Sequence, residues 1–144
     1  MKFTIIIDKN REEEVIVYAK EKTDLTDEIE RLVNDNNLEL IGYDKNGEGV
    51  KLSPEEVYLF TADDNKIFAI TEKEKLRLKY RLYQLEEVLP EYFVKINQSC
   101  VANIRKIARF DTSVSGTLMI KFKNGYKDYV SRRQMKAVKE RLGL

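Results

Sequence analysis

The stretch Phe93-Val-Lys-Ile-Asn-Gln-Ser-Cys-Val-Ala-Asn-Ile104, followed by Asn124-Gly-Tyr-Lys-Asp-Tyr-Val-Ser-Arg-Arg-Gln134, decides how this 144-residue chain reads. Short β-branched runs, turn residues and a concentration of Lys and Arg lie within and between these two motifs. Residues 92–144 carry a net charge of +9 and residues 1–91 a net of −8, a split hidden by the overall +1. A basic half on a near-neutral chain is an electrostatic footprint for a polyanion, with nucleic acid the first candidate.

Working outward, residues 92–96 read as a strand and Ser99–Asn103 as a turn or single helical turn. Strands at 105–112 and 117–123 flank a Ser115-Gly116 turn. Asn124-Gly125, a strong hairpin signal, leads into a strand at 126–131. A helix over 132–142 closes the chain, with Ser131 and Gln134 at capping-box spacing and Met135, Val138 and Leu142 on its apolar side.

Upstream, strands are expected at 38–43, 49–52, 57–62, 66–71 and 75–80, separated by Asp44–Gly47, Ser53–Glu55, Asp63–Asn65 and Glu72–Glu74 turns. A short helix over 82–89 stops at Pro90. Residues 2–7 and 14–19 read as two further strands. A helix over 24–35 follows, capped by Thr23 or Asp24, with Leu25, Ile29, Leu32 and Val33 at helical spacing and Asn34–Asn37 as its stop. The fold class is therefore mainly β (α+β overall): an antiparallel domain with short flanking helices. Residues 1–44 form an N-terminal β-β-α segment, read either as a dimerisation or partner face or as an ordinary cap on the core. Residues 45–144 form the main domain.

Composition narrows the chemistry. The chain has no histidine, hence no imidazole base for a Ser or Cys nucleophile and no His-based zinc site. Neither phosphate-cradling glycine motif is present. The one cysteine, Cys100, sits in an apolar context, reads as a small core residue and fits a reducing cytoplasm. No apolar run is long enough to span a bilayer. The expectation is a non-enzymatic cytoplasmic protein without cofactor. The adjacent Asp63 and Asp64 lack the other oxygen ligands of a calcium loop, and a hairpin tip accounts for them without a metal.

Three sets of residues are candidates for DNA contact. In Lys95-Ile-Asn-Gln-Ser99, either Asn97 or Gln98 can pair with an adenine edge, while Lys95 and Ser99 suit phosphates. Both amides could equally close their own backbone turn. Arg132 and Arg133, expected in the first turn of the last helix, oppose its dipole by about 0.3–1 kcal/mol. A phosphate bound there would reverse that cost. Ser131 and Lys136 complete this second set. Asn65 and Lys66, at the Asp63-Asp-Asn-Lys66 tip, form the third.

Together, Tyr92–Ile107, the Asn124-Gly125 hairpin and Val130-Ser-Arg-Arg133 resemble the LytTR family of bacterial DNA-binding domains. Val57–Phe68 looks like that family's first conserved strand pair, and the likeness covers roughly residues 45–142. The resemblance implies an elongated antiparallel fold that places loops in successive major grooves to regulate transcription. It carries contacts onto Asn65 or Lys66, onto Asn97, Gln98 and Ser99, and onto Arg133 with Ser131 and Arg132 nearby. Asn103 matches a recurrent Asn of the family. Where the family commonly shows His-Arg-Ser, this chain has Asn97-Gln98-Ser99, which favours adenine over guanine. The resemblance also implies a stand-alone regulator without a receiver domain and a small membrane protein as regulator; a homodimer on tandem or repeated sites is expected besides. The competing reading is a protein-interaction module whose basic half meets an acidic partner.

Overall fold

Consecutive burial identifies the best-packed strand of the sheet. Leu59, Phe60 and Thr61 are all buried, so their strand has no solvent face. The computed structural model describes residues 1–35, 38–114 and 116–144. Its strands are β1 (Leu40–Tyr43), β2 (Gly49–Leu52), β3 (Leu59–Asp63), β4 (Lys66–Ile70), β5 (Lys75–Leu78), β6 (Phe93–Asn97), β7 (Cys100–Asn103), β8 (Ile107–Val114), β9 (Thr117–Phe122) and β10 (Lys127–Val130). The helices are α1 (Asp24–Asp35), α2 (Leu82–Val88) and α3 (Met135–Leu142). A seven-stranded sheet runs β2-β1-β5-β4-β3-β7-β6 and a three-stranded sheet runs β10-β9-β8. Every recorded pairing is antiparallel.

Strand periodicity sorts the apolar side chains into two cores. Phe60, Ala69, Leu76, Leu78 and Val101 form one core of the large sheet together with Leu40 and Leu52 of β1 and β2 and with Leu85 of α2. Leu59, Ile70, Ile96, Cys100 and Ala102 point to the other, against Leu118, Ile120, Phe122 and Val130 of the small sheet and Val138 of α3. Asn103 is buried between these layers. Its amide donates to the Val57 carbonyl at 2.9 Å and accepts from the Arg105 N–H at 3.0 Å, starting a 3-10 turn at Ile104–Lys106.

The expected elements from 38 to 130 are found with shifts of a few residues, but four details differ. Residues 100–103 form β7 rather than a turn, because Cys100, Val101 and Ala102 bond across to β3 and to β6. The Asn124-Gly125 pair does not make a two-residue turn. Phe122 N–H bonds the Tyr126 carbonyl at 2.8 Å around a three-residue loop, and only Gly125 takes positive φ, at 89°. That is a turn followed by a left-handed glycine, the three-residue hairpin form. Residues 2–7 and 14–19 are not strands; residues 1–23 carry no ladder. The chain turns between them at Asp8–Arg11, where the Arg11 N–H meets the Asp8 carbonyl at 3.5 Å, without the two segments forming a ladder. Finally, α3 begins at Met135 rather than 132. Ser131 and Gln134 are joined by a backbone bond of 3.0 Å, and Gln134 makes no side-chain cap.

Near the N-terminus, Thr23 rather than Asp24 guards α1, through reciprocal bonds with Thr26. The expected stop of that helix at 34–37 extends over residues 36 and 37, which lie outside the described residues, as does Ser115 of the 115–116 turn. Phe122 fills the space between the two sheets and is 1% exposed. Phe122→Ala is expected to lower unfolding free energy by about 3–5 kcal/mol in equilibrium urea denaturation.

Candidate nucleic-acid interface

Three tips stand in a row because hydrogen bonds lace their strands together. The β3–β4 tip is a two-residue turn, Asp64-Asn65, with φ of 50° and 61°. Both residues tolerate the left-handed region, which the tight hairpin requires. The β6–β7 tip is Gln98-Ser99. It joins the first through the Ala62 N–H, which donates to the Ser99 carbonyl at 2.8 Å. The third segment is Ser131–Gln134, the turn between β10 and α3. The Ser131 N–H donates to the Ile96 carbonyl at 2.8 Å and so fastens this segment beside β6.

The expected contact residues separate by burial. Asn65, Lys66, Gln98, Ser99, Arg132, Arg133 and Lys136 are exposed, and Lys95 and Ser131 are half-buried. Asn97 is different, at 2% exposed. Its Nδ2 donates to the Tyr129 carbonyl at 2.8 Å and to Asp128 Oδ1 at 3.1 Å, and its Oδ1 accepts from the Ser99 N–H at 2.8 Å. Both amide hydrogens therefore have acceptors within the protein, and the oxygen shapes the Gln98-Ser99 turn from inside. Of the two amides in this tip, only Gln98 presents itself to solvent.

Asp128 had no place among the sequence candidates, although it is the lone acid between Lys121 and Arg133. Its Oδ1 also accepts from the Tyr129 N–H at 2.8 Å. Its charge is felt by two neighbours. Burial, and then Asp128, push the Cys100 thiol well above its ordinary range. Burial, and then Asp128, also raise the Tyr126 phenol, against a hydrogen bond with Thr61 that lowers it. Cys100 is thus a protonated core residue and not a nucleophile at neutral pH.

The arginine pair lies outside α3, so the expected placement of Arg132 and Arg133 in its first turn is corrected. β10 ends with Val130 in the core, and the Ser131 bond to β6 makes the chain turn tightly before a helix can start. Both guanidiniums consequently extend from a turn rather than opposing a helix dipole.

Several cations of the basic half are engaged within the protein. The Arg105 guanidinium lies 4.0 Å from the centre of the Tyr92 ring, Lys106 lies over Tyr58, and Arg141 donates to the Glu91 carbonyl. Others are arrayed outward. Arg109, Lys121 and Lys127 stand directly opposite one another across β8, β9 and β10, all exposed, beside a shallow groove. Like charges in register cost stability, so this row is an arrangement that folding alone would not select.

Residues 47–143 match the LytTr DNA-binding domain family, and the chain belongs to that family. Proteins of similar length include an uncharacterised HTH-type transcriptional regulator of Staphylococcus aureus strain NCTC 8325, 33% identical over 100% of this chain and 99% of its own. The corresponding protein of strain MW2 is 32% identical over the same shares. Among solved structures, the LytTr DNA-binding domain of a methyl-accepting/DNA response regulator from Bacillus cereus superposes with a TM-score of 0.69. It is 21% identical and covers 74% of this chain and 97% of that one. The protein is a DNA-binding transcription regulator built on antiparallel sheets. Among its described residues no two helices follow one another across a short turn, so no helix-turn-helix is formed.

Two outcomes follow from the buried residues of this site. Asn97→Ala leaves the Ser99 N–H and the Tyr129 carbonyl without their partner, at about 1–3 kcal/mol for each group left buried and unpaired. Urea denaturation should show that loss, with weaker DNA binding beside it. For Cys100, the folded pKa is raised, so its stabilising contribution is complete below the unfolded thiol range and is lost as pH rises above it. Denaturation midpoints should fall between pH 7.5 and pH 10, and should fall less in Cys100→Ala.

Proposed function

We propose that this regulator reads duplex DNA through its three aligned tips, with loops rather than a helix entering the major groove. The observation that carries this reading is the hydrogen-bonded row of Asp64-Asn65, Gln98-Ser99 and Ser131–Arg133. It holds exposed amide, guanidinium and ammonium groups at one edge of a rigid β framework. Gln98 and Arg133 carry donors suited to base edges, Gln98 for adenine and Arg133 for guanine, and Asn65 and Lys66 supply the third contact. Lys95, Ser99, Ser131, Arg132 and Lys136 meet phosphates and set the register.

Asn97 takes a different part from the one expected of it. With its amide committed to Asp128, Tyr129 and Ser99, it positions Gln98 instead of touching a base. The row of Arg109, Lys121 and Lys127 adds sequence-independent attraction to the phosphate backbone. Residues 45–144 form the DNA-binding unit in this reading, and residues 1–44 face a partner. The regulator acts in the cytoplasm as a homodimer on repeated sites, without enzymatic activity, and a small membrane protein restrains it. No described helix is long and apolar enough to cross a membrane.

The protein-interaction reading, a basic half docking on an acidic protein, predicts attraction without preference among duplexes. Fluorescence anisotropy separates the two, using the region upstream of the protein's own gene against a scrambled duplex across a salt series. Tighter binding to the native duplex supports the DNA reading, and equal weak binding to both overturns it. Gln98→Ala and Arg133→Ala should each lose about 1–3 kcal/mol of discrimination, while Arg132→Ala should weaken all duplexes alike and reduce the salt slope by about 1.

A further inference from the structure

The two sheets have four edges, and two of them close on each other: the Ser131 N–H bond to the Ile96 carbonyl holds the end of β10 beside β6. β2, at the far side of the large sheet, is four residues long and carries the exposed Lys51. Shortness and an exposed lysine both blunt an edge. β8 is the remaining edge. It runs for eight residues, and β9 is its one strand neighbour among the described residues. An edge of this length presents backbone donors and acceptors to any strand laid beside it.

The side chains say what that strand is. The ladder to β9 is irregular on either side of Arg109–Asp111, so these three residues form its regular centre. All residues from 108 to 112 are exposed. Phe110 faces Ile120 across the ladder and so lies on the face that Ile120 turns into the core, yet at this open side it is 44% exposed. Arg109 and Asp111 lie on the opposite face, across from Lys121 and Met119. Arg109 also ends the row of three cations that stand in register over β8, β9 and β10.

This stretch is complementary to itself. Antiparallel pairing with a second β8 about a two-fold axis at Phe110 sets Arg109 opposite the partner's Asp111, and Asp111 opposite the partner's Arg109. The two Phe110 rings then meet on the core face. Moving the axis to Arg109 or to Asp111 would oppose like charges, and moving it further removes both charge pairs. Each row of three cations would end on a carboxylate of the other copy, which offsets the like-charge cost of the row. Asp111 also disfavours a phosphate at this edge, so the charge pattern selects a second chain over a nucleic-acid strand.

We propose that β8 is an intersubunit strand, in which residues 108–112 pair antiparallel with the same residues of a second copy about a two-fold axis at Phe110. The contact is isologous, as a closed dimer requires. Two three-stranded sheets become one of six strands, with Lys121 and Lys127 still facing outward. Five paired residues bury less than the about 800 Å² per partner of a standard interface, so the contact is of the weak class that neighbouring DNA sites reinforce by proximity. The proposal rests on the homodimer reading above and deepens it by naming the surface and its register.

The experiment uses the full-length protein without DNA. Sedimentation equilibrium over a micromolar-to-millimolar series should show a monomer–dimer equilibrium. Arg109→Asp and Asp111→Arg should each weaken it about tenfold with unchanged circular dichroism, because each opposes like charges twice in the pair. Mixed in equal amounts, the two variants should associate as well as the unaltered protein, since each then meets opposite charges on the other. Register is read by cross-linking. Copies of a residue on the axis lie about 4.5–5.5 Å apart, within disulfide reach, whereas copies of position 112 stand about 14 Å apart. Under oxidation Phe110→Cys should form a covalent dimer and Thr112→Cys should not, Cys100 being buried in both. A monomer at every concentration, a mixture that associates no better than either variant alone, or equal cross-linking at positions 110 and 112 would overturn the proposal. A dimer unmoved by both charge reversals would overturn this surface and leave the homodimer reading standing. Duplex anisotropy on the unaltered protein reports the tips separately.

Discussion

One buried amide holds the three tips in a common frame. Asn97 sits where the last turn of β6 meets β10, and its three hydrogen bonds reach a neighbouring turn, a backbone carbonyl and a carboxylate. A buried amide is costly unless it is satisfied, so the bonds that keep Asn97 paired also force β10 to lie against β6. That contact places Ser131, and hence the arginine pair, beside the Gln98-Ser99 turn. The Ala62 and Ser131 backbone bonds extend the same lacing on either side. A polar residue in the wall of the core thereby organises groups that must face outward and keep their spacing.

The core supplies the stiffness this lacing needs. β3 is buried on both faces, with Phe60 turned to α2 and Leu59 turned to the small sheet. The β3–β4 tip is a continuation of that doubly buried strand, and the β6–β7 tip grows from its neighbour β7. Two of the three tips thus project from the best-packed part of the molecule. Loops on a rigid scaffold are a common solution for binding sites, since side-chain positions are then set by the sheet and not by the loop. Charge is divided along different lines. The basic half carries the Gln98-Ser99 and Ser131–Gln134 tips and the Arg109, Lys121 and Lys127 row, while the Asp64-Asn65 tip belongs to the acidic half.

Much of this was legible from residue order. Alternation in Leu76–Leu78 and Thr117–Phe122, turn residues between them, and the apolar spacing of α1 and α3 place most elements within a few residues. Errors fell where a local signal competes with a distant one. Asn124-Gly125 satisfies a two-residue turn locally, yet Asn124 also bonds the Thr71 carbonyl just after β4 at 3.3 Å and the loop opens by one residue. Ser131 and Gln134 have capping spacing, yet the Ser131 N–H is claimed by β6. Ser99–Asn103 looks like a turn until β3 is present to pair with Cys100, Val101 and Ala102.

Local periodicity, the charge split and the three motifs are written in the chain itself, because they depend on neighbours a few residues apart. They determined an antiparallel sheet protein, a basic half and the candidate residues. Which of those residues face out depended on contacts across 31 and 32 residues, from Asn97 to Asp128 and Tyr129. Asn97 and Gln98 are adjacent amides that sequence cannot rank. Only the folded sheets separate them, because burial and hydrogen-bond satisfaction are set by strands that meet in space, not by order along the chain.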